Sequence, residues 1–397
     1  MLFLEAGSGF DAANCEVCGL HLFIGADIVP TCSNASLFAS GELDSLLGSE
    51  LSQLLRQADL NIFNLEVPLT DCAAPIPKCG PCLIAGTETV SAYQKMPAHF
   101  LTLANNHILD QGAQGLASTM QTLDAAGIAY AGAGHTRFDA RKPYIQQVGD
   151  QKIGIYCCAE HEFSIAPENC PGANPFDPLD SFDDVASLRK DCDYLIVLYH
   201  GGKEHYRYPS PNLQKICRKF VSAGANLVVC QHSHCVGCKE DYQDGTIVYG
   251  QGNFLFDDSD SEFWQTSLLL SVTDSGVSYL PLVKRKNTVR LAHGQDAEAI
   301  LRGFEERSAQ ILDEAFVREA YARFSQQLLS LYLGTFTQKR HRLLFRVLNK
   351  LTRGKWSASL PERLPMKYKL AVLNFVECEA HREVLIAALR ESCNIVE

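Results

Sequence analysis

The chain has 397 residues, 46% hydrophobic and 20% charged, a globular composition in the range of one large domain or two ordinary ones. Its net charge of −11 argues against a molecule built to coat nucleic acid. No apolar run approaches the roughly 18–20 residues of a membrane-spanning helix, and the opening MLFLEAGSGFDAANCE has no basic region ahead of its short apolar start, so the expected location is cytoplasmic.

Residues 1–19 read as an N-terminal extension. Strands are then predicted over His21–Ala26, Leu60–Leu65, Phe100–Ala104, Lys152–Cys158, Tyr194–Tyr199, Leu227–Gln231, Thr246–Tyr249, Thr266–Val272 and Val277–Leu282. Helical patterns fall between them, over Gly41–Gln57, Thr87–Lys95, Gly112–Ala126, Phe182–Arg189 and Asn212–Ala223. Alternation of strand and helix predicts an α/β core over 20–296, and the closer spacing of the last strands predicts antiparallel hairpins, hence a mixed sheet or two packed sheets. Pro75–Pro81 and Pro167–Pro178 read as loops. From about Ala297 the period changes to 3.6 residues with no strand signal, so 297–397 is expected to be a helical appendage with helices over Lys339–Leu351 and Cys378–Arg390. Between Thr335 and Val372 ten Lys and Arg face one acidic residue, Glu362. The basic stretch Lys339–Lys369 reads either as an amphipathic helix with its charges in water or as a dock for an anionic polymer or membrane surface.

Sixteen cysteines in a large chain without a signal suit a reducing interior, and Cys157, Cys158 and Cys230 sit in apolar runs as small buried hydrophobes. Three Cys-x-x-Cys pairs occur, Cys15/Cys18, Cys79/Cys82 and Cys235/Cys238. Two such pairs would form a structural zinc or iron–sulfur site if the fold joined them; otherwise they are free thiols.

Chemistry-bearing residues gather just past predicted strand ends. Asp27 follows HLFIGA, Glu66 follows LNIFNL, Asn106 and His107 follow FLTLAN, His200 follows YLIVLY, and His232 and His234 follow LVVC. Ligands in open α/β sheets bind at the C-terminal ends of strands. Singly, each has an ordinary structural explanation: a turn or cap for Asp27, a hydrogen-bonded core role for a histidine, a surface carboxylate for Glu66. Five strand ends delivering oxygen or imidazole, closing on His-x-His, point to a metal site. His232 and His234 would face one side of an extended strand but can splay apart near its end.

These residues carry a resemblance. HLFIGAD, FNLEVPLT, LANNHILDQGAQGLASTMQTLDAAGIAYAGAG, LYHGGKEHYRYPS and VCQHSHCVGCKEDYQDGTIVYGQGNFLF together resemble the capsule-synthesis CapA (poly-γ-glutamate synthesis PgsA) family of the calcineurin-like metallophosphoesterase superfamily, over roughly Leu20–Asp257. The resemblance implies a four-layer αββα sandwich with two divalent metals, Mn, Fe or Zn by the donor types. It implies Asp27 and His234 on the first metal, Glu66 as the bridge, Asn106, His200 and His232 on the second, and His107 as the group that contacts substrate or protonates the leaving group. Two departures stand out. The superfamily's Asp-x-His is Asp27-Ile28-Val29 here, which leaves the first metal one ligand short unless His21 or His205 substitutes, and Gln231 stands where the family often has Gly.

Asp110 would orient His107 or, alternatively, cap the helix beginning near Gly112. Arg207 and His205, in the segment Lys203–Arg207, would bind an anionic substrate, or the segment is a solvated loop. Asn253 would line the site or form a turn. The implied function is metal-dependent hydrolysis of phosphoester or amide bonds in capsule polysaccharide or poly-γ-glutamate synthesis, on an anionic polymer or a phosphorylated or saccharide substrate and within a capsule synthase complex. The alternative is a non-catalytic metal-binding scaffold in the same process, and a weaker third reading is a zinc module built on the Cys-x-x-Cys pairs.

Overall fold

The computed structural model describes residues 20–337, 350–352 and 365–392. The N-terminal extension, Cys15/Cys18 and most of the basic stretch with its helix over Lys339–Leu351 lie outside the described residues.

Two sheets pack face to face. The first runs in the order β16 (Thr288–Leu291), β15 (Gly276–Arg285), β14 (Thr266–Thr273), β1 (His21–Ile28), β2 (Leu60–Leu65), β3 (Phe100–Thr102), β4 (Ala129–Ala131), with β13 (Asn253–Leu255) also beside β1. Strands β1 to β4 are parallel, and β14, β15 and β16 continue the sheet antiparallel. The second sheet runs β11 (Lys239–Tyr242), β12 (Gly245–Tyr249), β10 (Leu227–Gln231), β9 (Tyr194–His200), β7 (Gln151–Ala159), β6 (Tyr144–Val148), parallel in its centre with antiparallel edges. A two-residue pair, β5 (Ala133–Gly134) and β8 (Gly172–Ala173), stands apart.

Strand periodicity builds the layers, because successive side chains leave opposite faces. On β1, Leu22 and Ile24 join Ile62, Ile155, Leu198, Val229 and Val248 in the core between the sheets. Phe23, between them, points outward to Phe63, Leu101 and the buried faces of α2 (Leu43–Arg56), α3 (Val90–Lys95) and α4 (Gly112–Ala126). On the opposite side Tyr156, Val197 and Val228 meet α6 (Ser181–Leu188) and α7 (Pro211–Ser222). The result is the expected four-layer αββα sandwich. Gly25 is required in β1: a Cβ there would lie 2.4 Å from the Phe63 ring.

Several elements depart from the sequence expectation. The helix predicted over Gly41–Gln57 is α2, kinked at Gly48; a short helix that was not expected, α1 (Ala35–Ser40), precedes it and ends at Gly41 in the left-handed conformation. The short or amphipathic strands β4, β6, β11, β13 and β16 carried no continuous apolar run and were not expected. A four-residue helix, α5 (Arg137–Ala140), is also new.

After the sheets come α8 (Gly294–Gln310), α9 (Glu314–Thr337), α10 (Met366–Glu377) and α11 (Glu379–Ser392). Phe304 of α8 enters the core between the sheets. Tyr321 and Tyr332 of α9 and Val384 of α11 pack with Tyr206, from the loop after β9. Helix α11 is tied to the core by Glu379, which accepts from His161 N at 2.8 Å, and by Glu383, which accepts from Asn212 N at 2.9 Å and from Ser210 Oγ. The last helices therefore lie over the same end of the second sheet that carries His200.

Candidate metal centre

The parallel strands of both sheets end on one edge of the sandwich, and the predicted residues meet there. Asp27 lies near the end of β1, Glu66 follows β2, Asn106 and His107 follow β3, His200 ends β9, and His232 and His234 follow β10. Asp27, Glu66, Asn106, His200, His232 and His234 are all buried. Two triads form that could each hold a metal ion, Asp27–Glu66–His234 and Glu66–His200–His232, and Glu66 is common to both.

Donor spacing in the second triad is that of ligands around an ion. His200 Nε2 lies 3.1 Å from Asn106 Oδ1, 3.2 Å from His232 Nδ1 and 3.3 Å from Glu66 Oε1. In the first, His234 Nδ1 lies 3.5 Å from Asp27 Oδ2 and 2.8 Å from Asn253 Oδ1. Asp27 Oδ2 and both oxygens of Glu66 are buried without a hydrogen-bond partner. Unsatisfied carboxylate oxygens at full burial are costly, and a cation is the group that satisfies several at once. This donor set of carboxylate, imidazole and amide oxygen suits Mn, Fe or Zn.

The electrostatics show the same deficit. Burial, then the neighbouring Asp27, pushes Glu66 up to about 8. Burial drives His200 down to about 4 and His232 to about 3, so both present neutral imidazoles. His234 goes the other way: the carboxylates of Asp27 and Glu66 overcome its burial and raise it to about 10. Asp27 is held below its ordinary value despite its own burial, by His234, His200 and Asn64.

The backbone explains how two histidines two apart serve two triads. His232 (φ 92°) and His234 (φ 53°) both adopt left-handed conformations that non-glycine residues rarely take. Each such residue costs about 1–3 kcal/mol and persists where the surroundings enforce it. The turn sends His232 towards His200 and His234 towards Asp27.

His107 stands beside the triads rather than in them. Its Nδ1 lies 2.6 Å from Asp110 Oδ2, leaving Nε2 as its outward nitrogen. Asp110 is fully buried and also accepts from Leu83 N at 2.6 Å and from Lys78 Nζ. It does not cap α4, whose N-cap is Gln111 with no side-chain bond. Lys78 was read only as part of a proline-rich loop.

The other candidates divide. Asn253 is buried beside Asp27, to which it is paired in register. His205 is exposed, stacks on Phe263 and accepts from Trp264 Nε1 at 3.1 Å; its ring centroid is 6.2 Å from that of His234. Arg207 donates to the Val236 carbonyl at 3.1 Å, lies 3.4 Å from Glu262 Oε1 and sits over Phe263, so its guanidinium is already engaged. His21 does not replace the missing first-motif histidine: it opens β1, roughly 20 Å of strand from Asp27 at about 3.3 Å per residue. Val29, at that missing position, is buried in the apolar core. Gln231 is buried, and its Nε2 donates to the Gly25 carbonyl at 3.3 Å.

Three participants were not singled out in the sequence. Asn64 donates to Asp27 Oδ1 at 2.8 Å and lies 3.3 Å from His200 Nδ1, which leaves His200 Nε2 for the centre. Asn105 donates to Asn64 Oδ1 at 3.0 Å and accepts from His107 N at 3.1 Å. Glu162 Oε2 accepts from Asn106 Nδ2 at 2.6 Å, which turns Asn106 Oδ1 towards His200. The available signals were the asparagines Asn61 and Asn64 inside the otherwise apolar LNIFNL and an acid–histidine–acid run, Glu160–Glu162, just past a strand end.

The Cys-x-x-Cys reading fails for the pairs that can be placed. Neither Cys79/Cys82 nor Cys235/Cys238 enters a cluster of three or more ligand-type side chains among the described residues, and every described cysteine is free of a disulfide.

Residues 28–258 match the family model described as bacterial capsule synthesis protein PGA_cap. The chain is 31% identical over 209 residues to "Capsule biosynthesis protein CapA" of Bacillus anthracis, covering 51% of each. It is 30% identical over 177 residues to "PGA biosynthesis protein CapA" of Bacillus subtilis, covering 43% of this chain and 46% of that one. A "Probable polyglutamine synthesis accessory protein" of Mycobacterium tuberculosis is 31% identical over 212 residues, covering 50% and 56%. The chain thus spans about half the length of the curated relatives it matches. Among solved structures, a putative 5'-nucleotidase from Staphylococcus aureus aligns with a TM-score of 0.41 at 15% identity, covering 72% of this chain and 58% of that one. The layer assignment above rests on the sheets themselves.

Proposed function

Starting from the premise that this chain belongs to the bacterial capsule synthesis protein family PGA_cap, we propose that it is a two-metal hydrolase acting on a phosphoester or amide bond during capsule or poly-γ-glutamate synthesis. The observation that carries this reading is the buried pair of triads sharing Glu66, with three carboxylate oxygens left without partners.

Asp27, Glu66 and His234 would hold one ion, and Glu66, Asn106, His200 and His232 the other. Asn253, whose Oδ1 lies 2.8 Å from His234 Nδ1, would supply an oxygen in the place of the missing first-motif histidine. Two such ions, when bound, would supply Lewis acidity that polarises the substrate and lowers the pKa of a water. The protein's own residues do the rest. Asn64 fixes Asp27 and the His200 ring, and Glu162 fixes the Asn106 amide. Asp110 holds the Nδ1 proton of His107, so that Nε2 delivers a proton to the leaving oxygen or nitrogen.

The relatives' names speak of capsule, PGA and polyglutamine synthesis; we propose the same kind of process for this chain, with an anionic polymer or its phosphorylated or saccharide precursor as substrate and a capsule synthase as partner. Among the described residues no helix is long and apolar enough to cross a membrane.

The competing reading is a metal-binding scaffold without turnover, favoured by the apolar Val29 at the missing ligand position. Turnover of a generic phosphodiester separates the two. The enzyme reading expects Mn-, Fe- or Zn-loaded protein to hydrolyse it and His107→Ala to lose that activity while keeping its metal. A loaded wild type that turns over neither a phosphodiester nor poly-γ-glutamate refutes it.

A further inference from the structure

We propose a separate metal site at the junction of α10 and α11, where Glu162, Cys378 and His381 form a carboxylate–thiolate–imidazole set for Zn2+. Glu162 comes from the loop after β7; Cys378 separates α10 from α11, and His381 lies in the first turn of α11. Cys378 and His381 lie beyond the residues matched by the family model. The site is thus built jointly by the α/β core and the terminal helices.

The three donor atoms all lie within 4.8 Å of one another, and His381 Nε2 is 3.5 Å from Glu162 Oε1. Tetrahedral zinc, with sulfur at about 2.3 Å and nitrogen or oxygen at about 2.0–2.2 Å, sets its donors about 3.3–3.7 Å apart. The nitrogen–oxygen edge already has that length, and the sulfur lies within 4.8 Å of both other donors. His381 is oriented for ligation: Tyr332 OH lies 2.5 Å from its Nδ1, which leaves Nε2 towards Glu162. Cys378 is buried, with its sulfur 3.9 Å from Glu160 Oε2.

The plainer alternative is an ion pair of His381 with Glu162 beside a buried thiol. It leaves one atom unexplained. Asn374 of α10 donates to Glu162 Oε1 at 2.9 Å, yet its Oδ1 is buried without a partner. In the zinc reading that oxygen is an additional donor at the same cluster. The thiolate selects zinc over Mg or Ca.

The position gives the site a consequence. The second oxygen of Glu162 accepts from Asn106 at 2.6 Å and lies 3.9 Å from His232 Nε2. One carboxylate therefore joins the terminal helices to the centre between the sheets, and zinc on its far side would pin α10 and α11 across that edge. The inference uses Cys378 and His381, which the hydrolase reading does not, so either can fail alone.

The test uses the full chain. Zinc per chain is measured after loading and dialysis for wild type, Cys378→Ser, His381→Gln and, as a control at the other centre, Asp27→Asn; folding is checked by circular dichroism. Cobalt-loaded samples are examined for the thiolate-to-cobalt band in the near ultraviolet. The proposal expects Cys378→Ser and His381→Gln each to hold one zinc fewer than wild type, with the band lost in Cys378→Ser and kept in Asp27→Asn. Anomalous scattering at the zinc edge from wild-type crystals, which needs no variant to fold, should show an ion bonded to Cys378 Sγ. A zinc count and cobalt band unchanged in Cys378→Ser, or no anomalous peak between these side chains in zinc-loaded crystals, overturns it.

Discussion

Replacing Asp110 by asparagine separates orientation of His107 from metal binding, because Asp110 touches no member of either triad. Its carboxylate takes three donors at full burial: His107 Nδ1, Leu83 N and the ammonium of Lys78, whose side chain is 1% exposed. Asparagine offers one oxygen and one NH2. If the oxygen faces His107 and Leu83, the NH2 meets the Lys78 ammonium; if it faces Lys78, the NH2 meets the other two. Either way a donor faces a donor and Lys78 loses its counter-charge in a dry site. Breaking a buried ion pair in this manner costs about 3–5 kcal/mol. Turnover should fall, by up to about 10²-fold, because a neutral amide holds the Nδ1 proton of His107 less firmly than the carboxylate does in one orientation and not at all in the other. Adding Lys78→Met removes the stranded charge, so the double variant Lys78→Met/Asp110→Asn should regain about 1–3 kcal/mol over Asp110→Asn alone, a coupling typical of residues in contact. Its turnover should stay below that of the wild type, because the amide oxygen can face His107 again but without the carboxylate's charge. Urea unfolding of the four proteins of the cycle and phosphodiester turnover read both effects. Additive stabilities across the cycle, or an Asp110→Asn protein with full turnover, would refute the reasoning.

Three further outcomes follow from the same structure. Lys284 is buried with its ammonium 5.6 Å from the Trp264 ring and without a hydrogen-bond partner, and burial pushes it from 10.5 down to about 8, an interval worth about 3 kcal/mol. A base whose folded value lies below its unfolded one carries the full penalty below about pH 8 and sheds it as pH rises to about 10.5; Lys284→Met should therefore gain up to about 3 kcal/mol at pH 7 in urea unfolding and almost nothing at pH 10.5, and equal gains at both pH values would contradict the assignment. Exhaustive chelation should lower the unfolding midpoint by an amount equivalent to about 2.7 kcal/mol if the free metal had stood at a hundred times its dissociation constant; a Glu66→Gln protein should respond much less, and identical responses would remove Glu66 from the ligand set. Gly25→Ala drives a methyl into the Phe63 ring and should cost about 1–3 kcal/mol, with Phe63→Leu in the same chain recovering part of it; a neutral Gly25→Ala by thermal melting would show that β1 shifts freely.

The sandwich was legible because its central strands are buried on both faces and so read as continuous apolar runs. Leu60–Leu65 and Leu227–Gln231 were predicted with the boundaries they have. Missed strands are those without that signature: β6, an edge strand alternating half-buried and exposed, and β4 and β13, three residues each. Clustering of Asp27, Glu66, Asn106, His200, His232 and His234 followed from strand ends alone, since parallel strands deliver their termini to one edge. What strand-end reasoning could not reach were partners held by loops and by the far end of the chain. Lys78 meets Asp110 from a proline-rich loop, and Glu162 meets Asn374 and His381 across more than two hundred residues. No local periodicity encodes such contacts. Arg207 shows the converse: a guanidinium in the segment after the site residue His200 looked available, and the fold turns it onto a backbone carbonyl.

The centre is a place where the protein's local preferences lose. Two histidines adopt left-handed backbone conformations, and two carboxylates stand within one cluster with three oxygens unpartnered. Each feature opposes folding, the strained residues by about 1–3 kcal/mol apiece. None is relieved by relaxing a neighbour, because Asp27 is fixed by the β1–β2–β13 pairings and His200 by β7 and β10. The apolar layers between and outside the sheets hold the strand ends rigidly enough for the unfavourable cluster to persist. Such a cluster is unfavourable for the empty protein and becomes favourable only with a positive charge in it. Divalent ions would satisfy the orphaned oxygens of Glu66 and Asp27 together, at the edge where Asp110 holds His107 by its Nδ1. The strain at His232 and His234 is then the condition for placing one imidazole on each side of Glu66, which a regular strand, with both side chains on one face, could not do.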